Sequence, residues 1–299
     1  MRQNNQFFTG EEYHFRLGIF LSNLRYIQNF NRKKGLTFRL GINKFACYTQ
    51  SEYKLLLGLN SNKNAQTKIN YKRKFLGPPP LSFDWRDKNV VNPVKDQGQC
   101  GSGYAFSIIS SAETCYALSE GSLLTFSEQN IIDCSLFSHG CNGGYPEDVY
   151  TYVLQAQNGQ FNLESDYPYT GVKSTCQFDQ SKGIGQITHF ANVITDDEND
   201  LKERVAWHGV AVSCITANIS PFMLYAGGIL DNDSCVEGQK FDHCVAVVGY
   251  GVEDGIDFWI VRNSWGSSWG EDGYVRMIRN KRNQCGIASQ SFVLLNYHL

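Results

Sequence analysis

Four stretches carry residue types that could do chemistry together: QGQCGSGYAF at 97–106, GCNGG at 140–144, DHCVAVVGYG at 242–251 and NSWGSSWGEDGY at 263–274. They supply a glutamine amide, a glycine-rich loop before an apolar run, a histidine opening another apolar run, and an asparagine beside tryptophans. Such parts suit acyl transfer by a thiol. A thiolate that attacks a peptide carbonyl needs a low pKa, which an adjacent imidazolium and a helix N-terminus provide. A third group must orient the imidazole. Donors must meet the developing oxyanion.

In this order the stretches resemble the papain/cathepsin family of cysteine peptidases, and the resemblance spans nearly the whole chain. It follows the local signature Cys-Gly-Ser/Ala-Cys then Trp or Tyr, with His and Asn far downstream, at every position but the second Cys. The resemblance implies that His243 is the imidazole, Asn263 its orienter and Gln97 the oxyanion donor, with Trp265 shielding the His–Asn pair. It puts the nucleophile at position 103, the start of a helix. That position is Gly103, and Tyr104 stands where Trp is more usual. Glycine has no side chain with which to attack. Losing the nucleophile of a triad-type protease costs on the order of 10⁶ in rate. The expectation is a catalytically silent peptidase homologue that keeps a peptide-binding cleft. The alternatives are a cysteine endopeptidase proenzyme whose nucleophile differs at this one position, and a peptidase that attacks with Ser102. The neighbours are poorly placed for rescue. Ser102 sits about 100° away around a helix start. Cys100 is claimed by a disulfide, and Cys244 points to the opposite face of its strand from His243.

The resemblance also implies the disulfides Cys100–Cys141, Cys134–Cys176 and Cys235–Cys285, leaving Cys115, Cys214 and Cys244 as buried thiols that act as small hydrophobes. Gly143 and Gly144 leave room for a peptide backbone. By resemblance Tyr145, Pro146, Phe241, Cys244 and Gln290 line the main side-chain pocket. Its apolar walls, with uncharged Gln290, imply preference for an apolar or aromatic side chain.

The elements that must position these groups fall into two parts. Residues 1–76 hold one of the ten cysteines, and Gly77-Pro78-Pro79-Pro80 forms a stiff break. The expected division is a propeptide domain at 1–76, a linker at 77–83 and a peptidase domain at 84–299. In the first part, Thr9 caps a helix with Glu11 and Glu12 in its first turn. Phe15, Ile19, Phe20, Leu24 and Ile27 form its apolar face, and Gly35 stops it. Phe38, Leu40 and Ile42 alternate as a short strand, and a second helix follows at 49–57. Glu12, Arg16, Ile19, Phe20, Asn23, Ile27 and Asn31 match the helical motif of cathepsin L-type propeptides, and Gly41, Asn43 and Phe45 match a second propeptide motif. Cys47 replaces its usual acidic residue. In the family such segments cross the cleft in the reverse direction to substrate. The family's first propeptide helix is missing, which fits a truncated start. In the second part, helices are expected at 104–118, 146–154 and 201–208, and strands at 210–216, 243–250, 257–262, 273–279 and 290–295. Helices first and strands later predict an α+β fold of a helical lobe and a β-barrel-like lobe.

Composition narrows the partners. With 42% hydrophobic and 19% charged residues, the 299-residue chain can build a sizeable core. A net charge of −2 argues against nucleic acid or an anionic membrane, and the basic run Lys72, Arg73, Lys74 reads as a solvated turn. The expected partners are a peptide or protein ligand, the chain's own propeptide and cystatin-type inhibitors, with the chain a monomer. No cofactor or metal is called for; His139 beside Cys134 and Cys141 lacks a metal-site spacing. Ten cysteines imply an oxidising route, lysosomal or secreted, although the polar start at 1–6 does not read as a signal peptide. No stretch of 18 apolar residues exists. Asn218 and Asn232 head glycosylation sequons that suit bare surface turns equally well.

Overall fold

Small and apolar residues fill the helix that opens the second part, α3 (Gly103–Glu120), and it is buried without a break from Gly103 to Cys115. A helix buried on every side belongs inside a domain, and α3 is the spine of the helical lobe. Gly121, with φ of 74°, ends it in the left-handed conformation. Against α3 pack α4 (Glu128–Cys134) and α5 (Pro146–Ala156). Ile108, Ile109, Ile131, Val149, Val153 and Phe161 form the core between them. The computed structural model describes residues 7–59, 77–235 and 240–296. The basic run at 72–74 and the start at 1–6 lie outside those residues.

The other lobe is a sheet. Its strands are β1 (Phe38–Leu40), β2 (Phe83–Asp84), β3 (His189–Asn192), β4 (Ala211–Ile215), β5 (Tyr225–Leu230), β6 (His243–Glu253), β7 (Ile256–Arg262), β8 (Tyr274–Ile278) and β9 (Gln290–Leu295). They run in the order β1-β5-β8-β7-β6-β4-β9-β3, with β2 on β6. The first nine residues of β6 are all buried, because α3 covers one face and α6 (Glu198–His208) the other. A short helix, α7 (Ser220–Met223), leads into β5.

The first part of the chain joins this sheet. Helix α1 (Gly10–Asn31) starts after Thr9, whose side chain makes no capping bond. Helix α2 (Gln50–Leu57) has a complete capping box, with Thr49 and Glu52 each satisfying the other's backbone amide. Between them β1 pairs antiparallel with β5. The edge strand of the sheet therefore comes from the N-terminal segment.

Several expectations need correction. Helix α1 ends at Asn31 rather than at Gly35, which turns the chain afterwards with φ of 73°. Phe15 and Ile42 are exposed, so the buried faces are narrower than periodicity suggested. Strand β1 stops at Leu40. Helix α4 and strands β3 and β5 had not been expected; β5 carries Gly227 and Gly228, which weaken a strand signal. The largest correction concerns the cysteines. The Cys100–Cys141, Cys134–Cys176 and Cys235–Cys285 bridges are present, but Cys214 and Cys244 are also joined, leaving Cys47 and Cys115 as buried free thiols. Cys214 and Cys244 lie directly opposite each other on β4 and β6, with Cα atoms 4.0 Å apart, so neighbouring strands bring their sulfurs together.

Candidate active site

The site lies where the first turn of α3 meets the start of β6. His243 opens β6 and is fully buried. Its Nε2 lies 2.8 Å from Asn263 Oδ1, just beyond the end of β7. The Ser264 backbone amide donates to the same oxygen at 2.8 Å, which fixes which way the asparagine amide points. Nε2 therefore carries the proton, and Nδ1 faces α3. Trp265 stacks on the ring at 4.9 Å between centroids and 22° between planes. The expected imidazole, orienter and shield are brought together.

Gly103 is the first residue of α3 and faces that imidazole. A Cβ built on it would stand 2.5 Å from His243 Cε1 and 2.7 Å from Nδ1. The ring thus occupies the space a side chain would need. Burial lowers the His243 pKa, against the raising effects of Asn263 and the Leu57 carbonyl. A thiolate would favour an imidazolium, whereas burial here disfavours one.

Ser102 does not fill the gap. It is fully buried, and its Oγ lies 3.0 Å from Tyr169 Oη and 3.4 Å from the Cys100 carbonyl. The Tyr169 hydroxyl donates in turn to the Gln97 carbonyl at 2.7 Å. His243 instead meets Asn263 and the Leu57 carbonyl, the latter 3.4 Å from Nδ1.

The chain's own N-terminal segment runs through the cleft. Gln97 Nε2 donates to the Leu56 carbonyl at 2.7 Å and to the Cys100 carbonyl at 2.7 Å, while its Oε1 accepts from Ser264 Oγ at 2.6 Å. The Gly144 amide donates to the Gly58 carbonyl at 3.2 Å, and the Leu59 amide donates to the Asp242 carbonyl at 3.1 Å. Gly143, at φ of 107°, must be glycine here: a Cβ would stand 1.6 Å from the Gly58 oxygen. Leu59 is buried in the same apolar cluster as Cys214 and Cys244, with Tyr145 and Phe241 packed against it. Pro146 is buried at the start of α5. Gln290 opens β9 opposite Cys214. Sequence reasoning missed Cys214, which shares this row, and the segment 56–59, whose Leu-Leu-Gly-Leu carries no chemical signal of its own.

The propeptide-motif residues tie the segment down. Arg16 pairs with Glu52 at 2.5 Å and with the Cys47 carbonyl at 3.0 Å, and Glu12 lies 3.5 Å from Arg16. Asn23 donates to the Ala46 carbonyl, and Asn31 both donates to and accepts from Leu40. Ile27 is buried, while Ile19 and Phe20 are half-buried. Gly41 donates to the Leu224 carbonyl at 2.9 Å, and Asn43 to the Met223 carbonyl at 2.9 Å. Phe45 packs edge-on to Trp265 at 4.9 Å.

Comparison with known proteins gives the family. The papain family cysteine protease pattern matches residues 79–295, and the cathepsin propeptide inhibitor domain (I29) matches residues 1–53. Digestive cysteine proteinase 2 of Homarus americanus is 39% identical over 294 residues, covering 96% of this chain and 90% of that one. Pro-cathepsin H of Mus musculus is 38% identical over 295 residues, covering 97% and 86%. The digestive procathepsin L2 proteinase from Tenebrio molitor larval midgut superposes with a TM-score of 0.91 at 35% identity, covering 99% of this chain and 97% of that one. The chain belongs to the papain family of cysteine peptidases and carries a cathepsin-type propeptide inhibitor domain.

Proposed function

We propose that this chain is a catalytically silent papain-family homologue whose cleft binds extended peptides, with residues 1–76 as its built-in occupant. The observation that carries the reading is Gly103: the helix start facing His243 Nδ1 has no side chain, and the imidazole stands in its place. Thiol attack needs a sulfur at that point, and no arrangement of neighbours gives glycine one. The donors a peptide would meet are in place, because Gln97 and Gly144 already hold backbone carbonyls. The apolar surroundings of Leu59 support preference for an apolar side chain at the pocket formed by Tyr145, Pro146, Phe241, Cys244 and Gln290. Freed of its N-terminal segment, the cleft would suit peptides or cystatin-type inhibitors. The disulfides support folding in an oxidising compartment on the lysosomal or secreted route. Among the described residues no helix is long and apolar enough to cross a membrane.

The test is hydrolysis of a fluorogenic peptide by the chain and by its Gly103→Cys variant. Each carries a cleavage site engineered between residues 59 and 77, and each is assayed before and after cutting. Hydrolysis is expected only from the cut cysteine variant, at a rate on the order of 10⁶ above the parent. Because the new Cβ meets His243 at 2.5 Å, the ring must retreat for this to happen. No hydrolysis by either form would extend the loss beyond position 103. Hydrolysis by the unmodified chain, abolished by Ser102→Ala, would overturn the proposal.

A further inference from the structure

The formal charge of −2 hides a division along the chain. Residues 1–76 hold 14 Lys and Arg against 3 Asp and Glu, a balance of +11. Residues 77–299 hold 13 against 26, a balance of −13. Between Glu12 and Glu52 the chain has seven basic residues and no acid. Two of the seven are engaged inside the fold, Arg16 with Glu52 and Lys44 with Asp96. The other five, Arg25, Arg32, Lys33, Lys34 and Arg39, are exposed, and among the described residues none stands in an ion pair. Arg16, Asn23, Ile27 and Asn31 turn one face of α1 toward the segment's own interior. Arg25, midway between Asn23 and Ile27, falls on the opposite face, and Arg32 returns to that face about 10 Å along the axis. Lys33 and Lys34 carry the row into the turn before β1. Arg39 is the exposed middle residue of that edge strand. Glu271, beside Arg39 across the strand pair, is held by Arg276 at 2.9 Å.

Complementing the helix dipole would account for Arg32, Lys33 and Lys34 at the C-terminal end, but not for Arg25 two turns earlier or for Arg39 beyond the turn. An ordinary solvated face mixes both signs. Exposed Leu21, Tyr26 and Leu36 lie among the cations. We infer that this outer face of the N-terminal segment docks the molecule on an anionic lipid surface. The cations meet anionic headgroups, and the leucine and tyrosine side chains enter the boundary between headgroups and acyl chains. A soluble polyanion would use the charges alone. The acidic remainder is repelled, so the molecule orients with residues 77–299 away from the lipid. The overall balance, which argues against such a partner, averages two regions of opposite sign. No residue of the cleft takes part, so the inference stands apart from the proposed function.

The test sediments the full chain with vesicles of phosphatidylcholine, alone or mixed with phosphatidylserine. One variant combines Arg25→Gln, Arg32→Gln and Lys34→Gln, which leaves Lys33 over the Phe30 ring and the inner face of α1 untouched. Its control combines Lys88→Gln, Lys173→Gln and Lys240→Gln, which removes the same charge from exposed positions of the acidic remainder. The parent should bind only the vesicles with phosphatidylserine and lose that binding at high salt. The first variant should bind on the order of a hundredfold more weakly, and the control as the parent does. Tyr26→Ser with Leu36→Ser should weaken binding on the order of tenfold at unchanged charge. Equal loss in the two triple variants would reduce the effect to net charge and overturn the inference. So would a parent that binds neither kind of vesicle, even if a sulfated polysaccharide retains it. Full binding by the Tyr26→Ser, Leu36→Ser variant would assign the face to a soluble polyanion and overturn the lipid reading.

Discussion

The ring of His243 is held by Asn263 on one edge, by Trp265 on one face and by α3 in front. Each contact is the work of one side chain, and one missing atom changes what the group can do. Glu52 shows the same dependence away from the cleft. The Arg16 guanidinium beside it, helped by Thr49, pulls the Glu52 carboxyl down to about 2 from its usual 4.5. A depressed acid stabilises the fold above its unfolded pKa and loses that contribution as pH falls through the folded value. The Arg16–Glu52 contact should therefore persist at pH 4 and fail only toward pH 2. Cys47 adds no acid-sensitive charge, since burial raises its thiol pKa. Asp242, raised by burial to about 6, has the opposite sign and stabilises the fold as pH falls. Tryptophan fluorescence followed from pH 7 to pH 3 should show the segment still docked in the parent at pH 4. Glu52→Gln should release it at higher pH or already loosen it at pH 7. Release of the parent near pH 5 would contradict this.

At the scale of elements, the N-terminal segment is held by strand pairing as much as by side chains. Gly228 on β5 lies opposite Phe38 on β1, at φ of 90°. A Cβ there would stand 2.4 Å from the Thr37 carbonyl oxygen, and left-handed backbone is itself strained for other residues. Gly228→Ala should therefore push β1 off the sheet edge at a cost of more than about 1 kcal/mol. Hydrogen exchange of the Ile229 amide, bonded to the Thr37 carbonyl at 2.8 Å, should rise, while that of β4 and β6 stays slow. Unchanged protection at Ile229 would show that β1 tolerates the methyl group.

At the scale of the molecule, the lobes meet over a buried charged cluster. Lys95 Nζ lies 2.8 Å from both oxygens of Glu128 and 3.8 Å from Glu113. Glu113 accepts from the Phe126 amide at 3.1 Å, and Arg262 donates to Ser110 Oγ at 2.8 Å. Lys95 lies two residues before Gln97, and Arg262 directly precedes Asn263, so the cluster anchors both arms of the site. Burial raises the pKa of Glu113 and of Glu128 despite these cations. A raised acid stabilises the fold fully below its unfolded pKa and loses that contribution as pH rises through the folded value. Stability to urea should decline as pH rises from 5 to 8, by up to about 1.4 kcal/mol per pH unit for one proton. Glu128→Gln should flatten the decline; an equal slope in the variant would locate the titration elsewhere.

By itself the sequence determined the family and the α+β class. Those rest on local strings: the glycine-rich loop before α3, the histidine that opens β6, the asparagine beside tryptophans. The helix ends at Gly121 and the helix at Gln50–Leu57 were legible too, because capping residues act within a few positions of the end they stop. Contacts between distant segments were not. Cys214 and Cys244 read as separate small hydrophobes until β4 and β6 paired and set them face to face. Leu59 carries no signal of its own in the sequence, and its place follows only from the bond of its amide to Asp242. Phe15 fitted an apolar face by spacing alone, yet it is exposed, because periodicity marks a face without saying how much of it a partner covers. Whether His243 stands clear of Gly103 or fills its place was likewise decided only in three dimensions, because it depends on how two lobes close over one absent side chain.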